Sequence, residues 1–246
     1  MYSVCTFRSE IILFIINKIR DGFSLGMIKW LALMAMTLDH VGFFFPDCLV
    51  SSYFREIGRI AFPMFSFLIA YHLGQGVSVS KYLMRIGIFW VLSIPILMIV
   101  STDNSYFSQL NVLGTLWFGV LGIGLAQKVA VLPWHSMQSK IFQIFFLIVW
   151  IVSHYFGYGI SGFLYIVLFY YALKKQHSLL IVLLLDLTPF LECFLPLSTI
   201  IVAIATIVLL VIPVRVNYGY RLKWYWFYAY FPVHFMVLYI VKRWIG

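Results

Sequence analysis

Lys29-Trp-Leu-Ala-Leu-Met-Ala-Met-Thr-Leu-Asp39-His40, with Arg55-Glu-Ile-Gly-Arg59-Ile-Ala-Phe-Pro63 shortly after it, is the stretch that decides the fold. Both pieces lie in apolar runs long enough to enter a bilayer, whose hydrocarbon core asks for ~20 predominantly apolar residues per helix. An ionisable side chain at that depth costs about 2.5–3.5 kcal/mol on insertion scales and marks function by default. Here a lysine, an aspartate, a histidine and two arginines fall within neighbouring segments. They point to a polar site between membrane helices.

The composition agrees. The chain has 246 residues, 63% of them hydrophobic and 20% aromatic, and only 10% charged. A soluble domain carries about 25% charged residues. The expected fold class is therefore all-α, a polytopic transmembrane helical bundle of about nine or ten spans. The net charge of +9 does not indicate nucleic acid as a partner, because the basic residues are scattered at segment ends. They act as topology determinants. Cys5, Cys48 and Cys193 have no metal-type spacing, nor do His40, His72, His154 and His234, so no metal is expected. A Cys48–Cys193 disulfide is conceivable, but small unpaired hydrophobes is the favoured reading. The apolar run Ile11–Ile16 is short and lacks a small-residue cleavage site, which argues against a signal peptide.

The spans expected are Met27–Phe45, Arg55–Leu73, Tyr82–Val100, Leu110–Leu132, Ile141–Phe156, Ile160–Leu173, Leu179–Leu195, Ser198–Val214 and Trp224–Val241. Residues 1–25 form an amino-terminal interfacial segment, its amphipathic helix at 7–20 setting Ile11, Ile12, Phe14 and Ile15 against Lys18 and Arg20. Residues 26–246 form the transmembrane domain. Lys18, Arg20 and Lys29 precede the first span. Lys81 and Arg85 follow the second, Lys128 and Lys140 the fourth, Lys174 and Lys175 the sixth, and Arg215, Arg221 and Lys223 the eighth. The alternate loops carry almost no Lys or Arg apart from Arg55. The positive-inside rule then places all these clusters and the amino terminus in the cytoplasm. Lys242 and Arg243 are the exception.

Lys29 and His40 are eleven residues apart, close to three helical turns, so they share one face and are separated by ~16 Å along the axis. Such a stripe suits a long anionic ligand with its reactive end at the imidazole, and acyl-CoA has that form. Imidazole is the natural general base near neutral pH, so His40 is the candidate catalytic residue. Asp39 points ~100° away from His40 and is placed to pair with Arg55 or Arg59 on the next helix. Those arginines form an i,i+4 pair that can clamp a phosphate or carboxylate, unless Arg55 instead snorkels to the interface. Further candidates are Asn111, Tyr228 and His234, the last beside Pro232, whose ring frees backbone groups. Asp186 lies mid-span and needs a partner, Lys174 and Arg85 being available.

At these residues the sequence resembles the TraX family of conjugative-plasmid membrane proteins. The resemblance rests on Lys29-X10-His40 with Leu38-Asp39-His40, Gly58-Arg59-Ile-Ala-Phe62-Pro63-Met-Phe65, Asn111-Val-Leu, Tyr158-Gly-Ile-Ser-Gly162 and Tyr230-Phe-Pro232-Val-His234. These occur in family order from about Lys29 to the end. The resemblance implies a multi-pass protein of the bacterial inner membrane that uses acetyl-CoA to N-acetylate the amino terminus of a pilin subunit. Lys29-X10-His40 and Arg55-X3-Arg59 also look like motifs of larger membrane acyltransferases that O-acetylate surface glycans. That likeness implies a catalytic His40 and a donor held by Lys29, Arg55 and Arg59; Asp39 stands beside His40 as a second candidate catalytic residue. Many TraX-like proteins keep only the second arginine, which makes Arg55 the less secure assignment. A surface glycan is the alternative acceptor. A proton- or anion-coupled transporter is the alternative from another class, although no internal repeat supports it. A non-catalytic assembly scaffold is a third.

Overall fold

The computed structural model describes residues 23–100, 111–175, 196–211, 213–215 and 223–245, with single positions between 180 and 188. The expected amphipathic segment at 7–20, most of the span Leu179–Leu195, Asp186, Cys5 and Cys193 lie outside the described residues.

Ser24 caps the first helix, its Oγ accepting the Met27 N–H at 3.1 Å, which satisfies one of the otherwise orphaned amides of the first turn. That helix, α1, is Leu25–Phe44, and Pro46 follows its end. After it come α2 (Ser51–Gly58), α3 (Ala61–Gly74), α4 (Val79–Val100), α5 (Val112–Val131), α6 (Met137–Val152), α7 (Gly159–Lys175), α8 (Pro196–Val211) and α9 (Trp224–Ile245). Among the described residues, five stretches are long and apolar enough to cross a membrane: Leu25–Phe44, Ser51–Gly74, Val79–Val100, Val112–Val131 and Met137–Tyr155. The protein is a multi-pass helical membrane protein. On α4 and α6 the apolar side chains point outward, among them Met84, Val91, Met98, Ile144, Phe145 and Ile148. Exposed hydrophobic surface of that extent is lipid-facing.

The second span differs from expectation. It begins at Ser51 rather than Arg55, and it is broken into α2 and α3 at Arg59-Ile60. Pro63 explains the break. It has no N–H to give the Arg59 carbonyl, and its ring crowds that same oxygen. The Arg59 carbonyl accepts the Phe62 N–H at 3.4 Å instead, a tighter turn.

Glycines bring α1 and α2 into backbone contact. A Cβ on Gly42 would lie 2.5 Å from the Ser51 carbonyl oxygen, and one on Gly58 would lie 2.5 Å from the Asp39 backbone nitrogen. Small residues are what let membrane helices approach this closely. The close crossing carries Arg55 and Arg59 to the Asp39 side of α1.

The expected eighth span ends at Val211, after which Val214–Arg215 pairs in parallel with Phe23–Ser24. This short clasp joins the start of α1 to the end of α8. Other contacts belong to the same face: Gln127 on α5 donates to the Tyr170 hydroxyl on α7 at 2.8 Å, Gly124 abuts Val79, and Tyr82 on α4 faces Tyr228 on α9. The helix ends that carry Lys81, Arg85, Lys128, Lys174 and Lys223 are thus gathered on one face of the bundle. Lys242 and Arg243 lie at the other end, because α9 runs uninterrupted to Ile245. If the basic face is cytoplasmic, reporter fusions near Arg20, Lys81, Lys140, Lys175 and Arg221 will all give cytoplasmic signals. Periplasmic signals from two of them would overturn the orientation.

Candidate functional site

His40 lies in the last turns of α1, buried at 8% exposure, and meets His234 on α9, buried at 6%. Their Nδ1 and Nε2 atoms are 2.7 Å apart. The rings sit in an aromatic surround, with the Phe235 centroid 4.3 Å from His40 and the Tyr230 ring stacked on His234 at 5.2 Å. His234 is held from below, its Nδ1 donating to the Tyr230 carbonyl at 2.8 Å. The Tyr230 hydroxyl in turn bonds the Thr37 hydroxyl at 2.7 Å, one turn before His40 on α1. A buried polar group must find such partners or pay its desolvation penalty. Here two imidazoles and two hydroxyls tie α1 to α9.

The carboxylate of Asp39 faces the other side of His40. Its Oδ2 is 4.0 Å from His40 Nε2. Its Oδ1 is 3.7 Å from Arg55 Nη1 and 3.8 Å from Arg59 Nε. Both arginines therefore share one carboxylate, as the cost of burying a lone charge demands. These distances are charge-pairing distances, longer than a direct hydrogen bond. Among the described residues, Asp39 Oδ1 has no hydrogen-bond partner. Arg59 is the more enclosed guanidinium, with 21% of its side chain exposed against 35% for Arg55. Arg55 also lies 5.5 Å over the Phe43 ring.

Lys29 belongs to a second polar group, nearer the basic face. Lys29 and Arg85 both lie in the neighbourhood of His72. The Tyr82 hydroxyl is 3.4 Å from His72 Nδ1, and Arg85 stacks 4.9 Å over the Trp224 ring. Tyr228 joins this group rather than the histidine pair, facing Tyr82 and stacking on Phe89 at 6.0 Å. Asn111 is separate again. It is 2% exposed at the start of α5, and its Oδ1 has no hydrogen-bond partner among the described residues. Of the predicted site residues, the structure therefore assembles His40, Asp39, Arg55, Arg59 and His234. It sets Lys29 and Tyr228 at the opposite end of the same helices. Sequence reasoning missed Thr37 and Tyr230 as partners across α1 and α9, and His72 with Tyr82 beside Lys29. Cys48 is an exposed free thiol. Lys174 sits 5.8 Å over the Tyr170 ring. No group of three or more metal-binding side chains occurs among the described residues.

The family model described as TraX protein matches residues 24–242. The chain belongs to the TraX family. That match includes both ends of the histidine pair and stops short of the amino-terminal segment. No curated protein and no solved structure matches the chain. Within this TraX protein the motif pieces at Lys29–His40, Gly58–Phe65 and Tyr230–His234 are the segments that build the assembled site, and Tyr158–Gly162 packs beside it. Phe62 is the link, its ring centroid 4.0 Å from that of Tyr158.

Proposed function

We propose that this protein is an acetyltransferase that moves an acetyl group from acetyl-CoA to the amino terminus of a pilin subunit. The observation that carries the reading is the buried His40–His234 pair beside a carboxylate and two guanidiniums, on a helix whose other end carries Lys29. General acid–base chemistry asks for an imidazole held by a partner on one nitrogen and open on the other. Membership of the TraX family supports the link to conjugation and pilin.

His40 takes a proton from the acceptor amine as the amine attacks the thioester carbon. Charge develops on the carbonyl oxygen, and a guanidinium beside the site is suited to hold it. The C–S bond then breaks, the thiolate recovers the proton from His40, and an amide is left. Asp39 Oδ1 has hydrogen-bonding capacity to receive an N–H of the incoming amine. Lys29, with Arg85 nearby, carries the charge that would hold the phosphates of the donor at the basic face. With the amino terminus cytoplasmic and the protein in the inner membrane, that face meets the acetyl-CoA pool. The pair at His40 lies ~16 Å along α1 from Lys29.

Purified protein in lipid nanodiscs, given acetyl-CoA and a peptide with the pilin amino terminus, is expected to release CoA and yield the N-acetylated peptide. Absence of CoA release with every acceptor, amine or glycan hydroxyl, would overturn the reading, and acetylation of a glycan alone would reassign the acceptor. Arg59→Lys is expected to slow turnover more than Arg55→Lys. A lysine cannot reproduce the forked donor geometry of a guanidinium, and Arg59 is the more enclosed of the two. A purely structural Arg59 would lower the melting temperature and leave turnover per folded protein unchanged.

A further inference from the structure

We infer that His234 is a positioning residue that sets the tautomer of His40, so that the Nε2 of His40, on the Asp39 side, is the nitrogen that takes the proton. The inference deepens the acetyltransferase reading and rests on it for its chemical role, while its structural content stands on geometry alone.

The chain of bonds has one direction. A carbonyl oxygen can only accept, so the 2.8 Å contact between His234 Nδ1 and the Tyr230 carbonyl fixes a hydrogen on Nδ1. A neutral imidazole carries one N–H, and a charged one at this depth would need a counter-charge. His234 Nε2 is therefore a bare lone pair. It lies 2.7 Å from His40 Nδ1, which must donate. The hydrogen of His40 is thereby committed to Nδ1, and Nε2 is left as the acceptor. Its distance of 4.0 Å to Asp39 Oδ2 is too long for a hydrogen bond, in keeping with an Nε2 that has no hydrogen to give. Free histidine prefers the other tautomer only slightly, so one buried acceptor is enough to decide which form is present.

Two consequences follow for the reaction. The acceptor and thioester must come to the α2 side of His40, where Asp39, Arg55 and Arg59 lie, and not to the α9 side. When Nε2 takes the amine proton, the new imidazolium has an N–H at each nitrogen. One points at His234 Nε2 and the other towards Asp39, so the transient cation is met on both sides. The proton leaves again from Nε2 to the departing thiolate, and His234 ends as it began. The stacked Tyr230 ring and the Thr37–Tyr230 hydroxyl bond keep His234 in line.

The test is nitrogen NMR of the full chain labelled with 15N-histidine, in nanodiscs at neutral pH, with His40 assigned by its loss in His40→Asn. Wild-type His40 is expected to carry its hydrogen on Nδ1, and a hydrogen on Nε2 would overturn the inference. In His234→Phe, which keeps a ring but has no acceptor, His40 is expected to lose that preference. Turnover in His234→Phe should fall about 10–100-fold, the loss seen when hydrogen-bond partners that orient metal-bound imidazoles are removed. His234→Gln, whose amide oxygen can accept the Nδ1 hydrogen, should restore both. A His234→Phe protein that keeps the Nδ1 tautomer and wild-type turnover would also overturn it. The spectrum needs no acyl donor. A correct tautomer in a protein that transfers no acetyl group upholds the positioning role and removes only the acetyltransferase reading.

Discussion

His40→Ala is expected to slow acetyl transfer about 10²–10⁴-fold per folded protein, the range associated with loss of a positioned general base. The side chain is buried and bonded to His234, so the deletion also strands one acceptor, at a cost of about 1–3 kcal/mol. That penalty predicts a lower melting temperature without loss of the bundle, because α1 stays packed through Ile28, Ala32, Leu33, Ala35, Met36 and Phe44. Turnover is therefore measured on the monodisperse fraction from size-exclusion chromatography. Near wild-type turnover in that fraction would remove His40 from the chemistry.

Gly58→Ala is the second change expected to have a large effect. The added methyl would sit 2.5 Å from both the nitrogen and the Cβ of Asp39. Backbone atoms cannot turn aside as a flexible side chain can, so α2 must move away from α1. Overpacking of this kind costs about 1–3 kcal/mol. The same movement withdraws Arg55 and Arg59 from Asp39, so turnover should fall together with thermal stability. Gly74→Ala is the matched control, since nothing lies within 4 Å of a Cβ there and its φ is not in the left-handed range. A Gly58→Ala protein that melts with wild type and the control would show that the helices do not touch at this point.

The helical class and most span positions were legible because each rests on an unbroken apolar run, a local property. The stripe from Lys29 to His40 was legible for the same reason, through the helical repeat. The pairing of Asp39 with Arg55 or Arg59 followed from the cost of burying charge, and the structure places Asp39 beside both. Three features were harder to read. Ser51-Ser52-Tyr53 is too polar to mark the start of a span by hydropathy, although the break after it had a visible cause in Pro63. The clasp between Phe23 and Val214 is two residues long and has no periodicity to detect. The partnership of His40 with His234 spans 194 positions, and one sequence carries no record of such a contact. Tyr228 shows the limit of a motif read without its helix. It is six residues from His234, a net rotation of ~240°, so the two cannot share a face of α9.

That separation of 194 residues also fixes the order in which the site can come into being. Asp39 enters the membrane with Arg55 and Arg59 only a short length of chain behind it, so α1 and α2 can neutralise each other as a first hairpin. His40 has no such neighbour. At ribosomal rates of about 5–20 residues per second, its partner emerges roughly 10–40 s later, once the chain has reached α9. Until then the α1–α2 hairpin can have its ion pairs but not its second imidazole. The arrival of α9 supplies His234, so the histidine pair forms only after synthesis has been carried through to that helix.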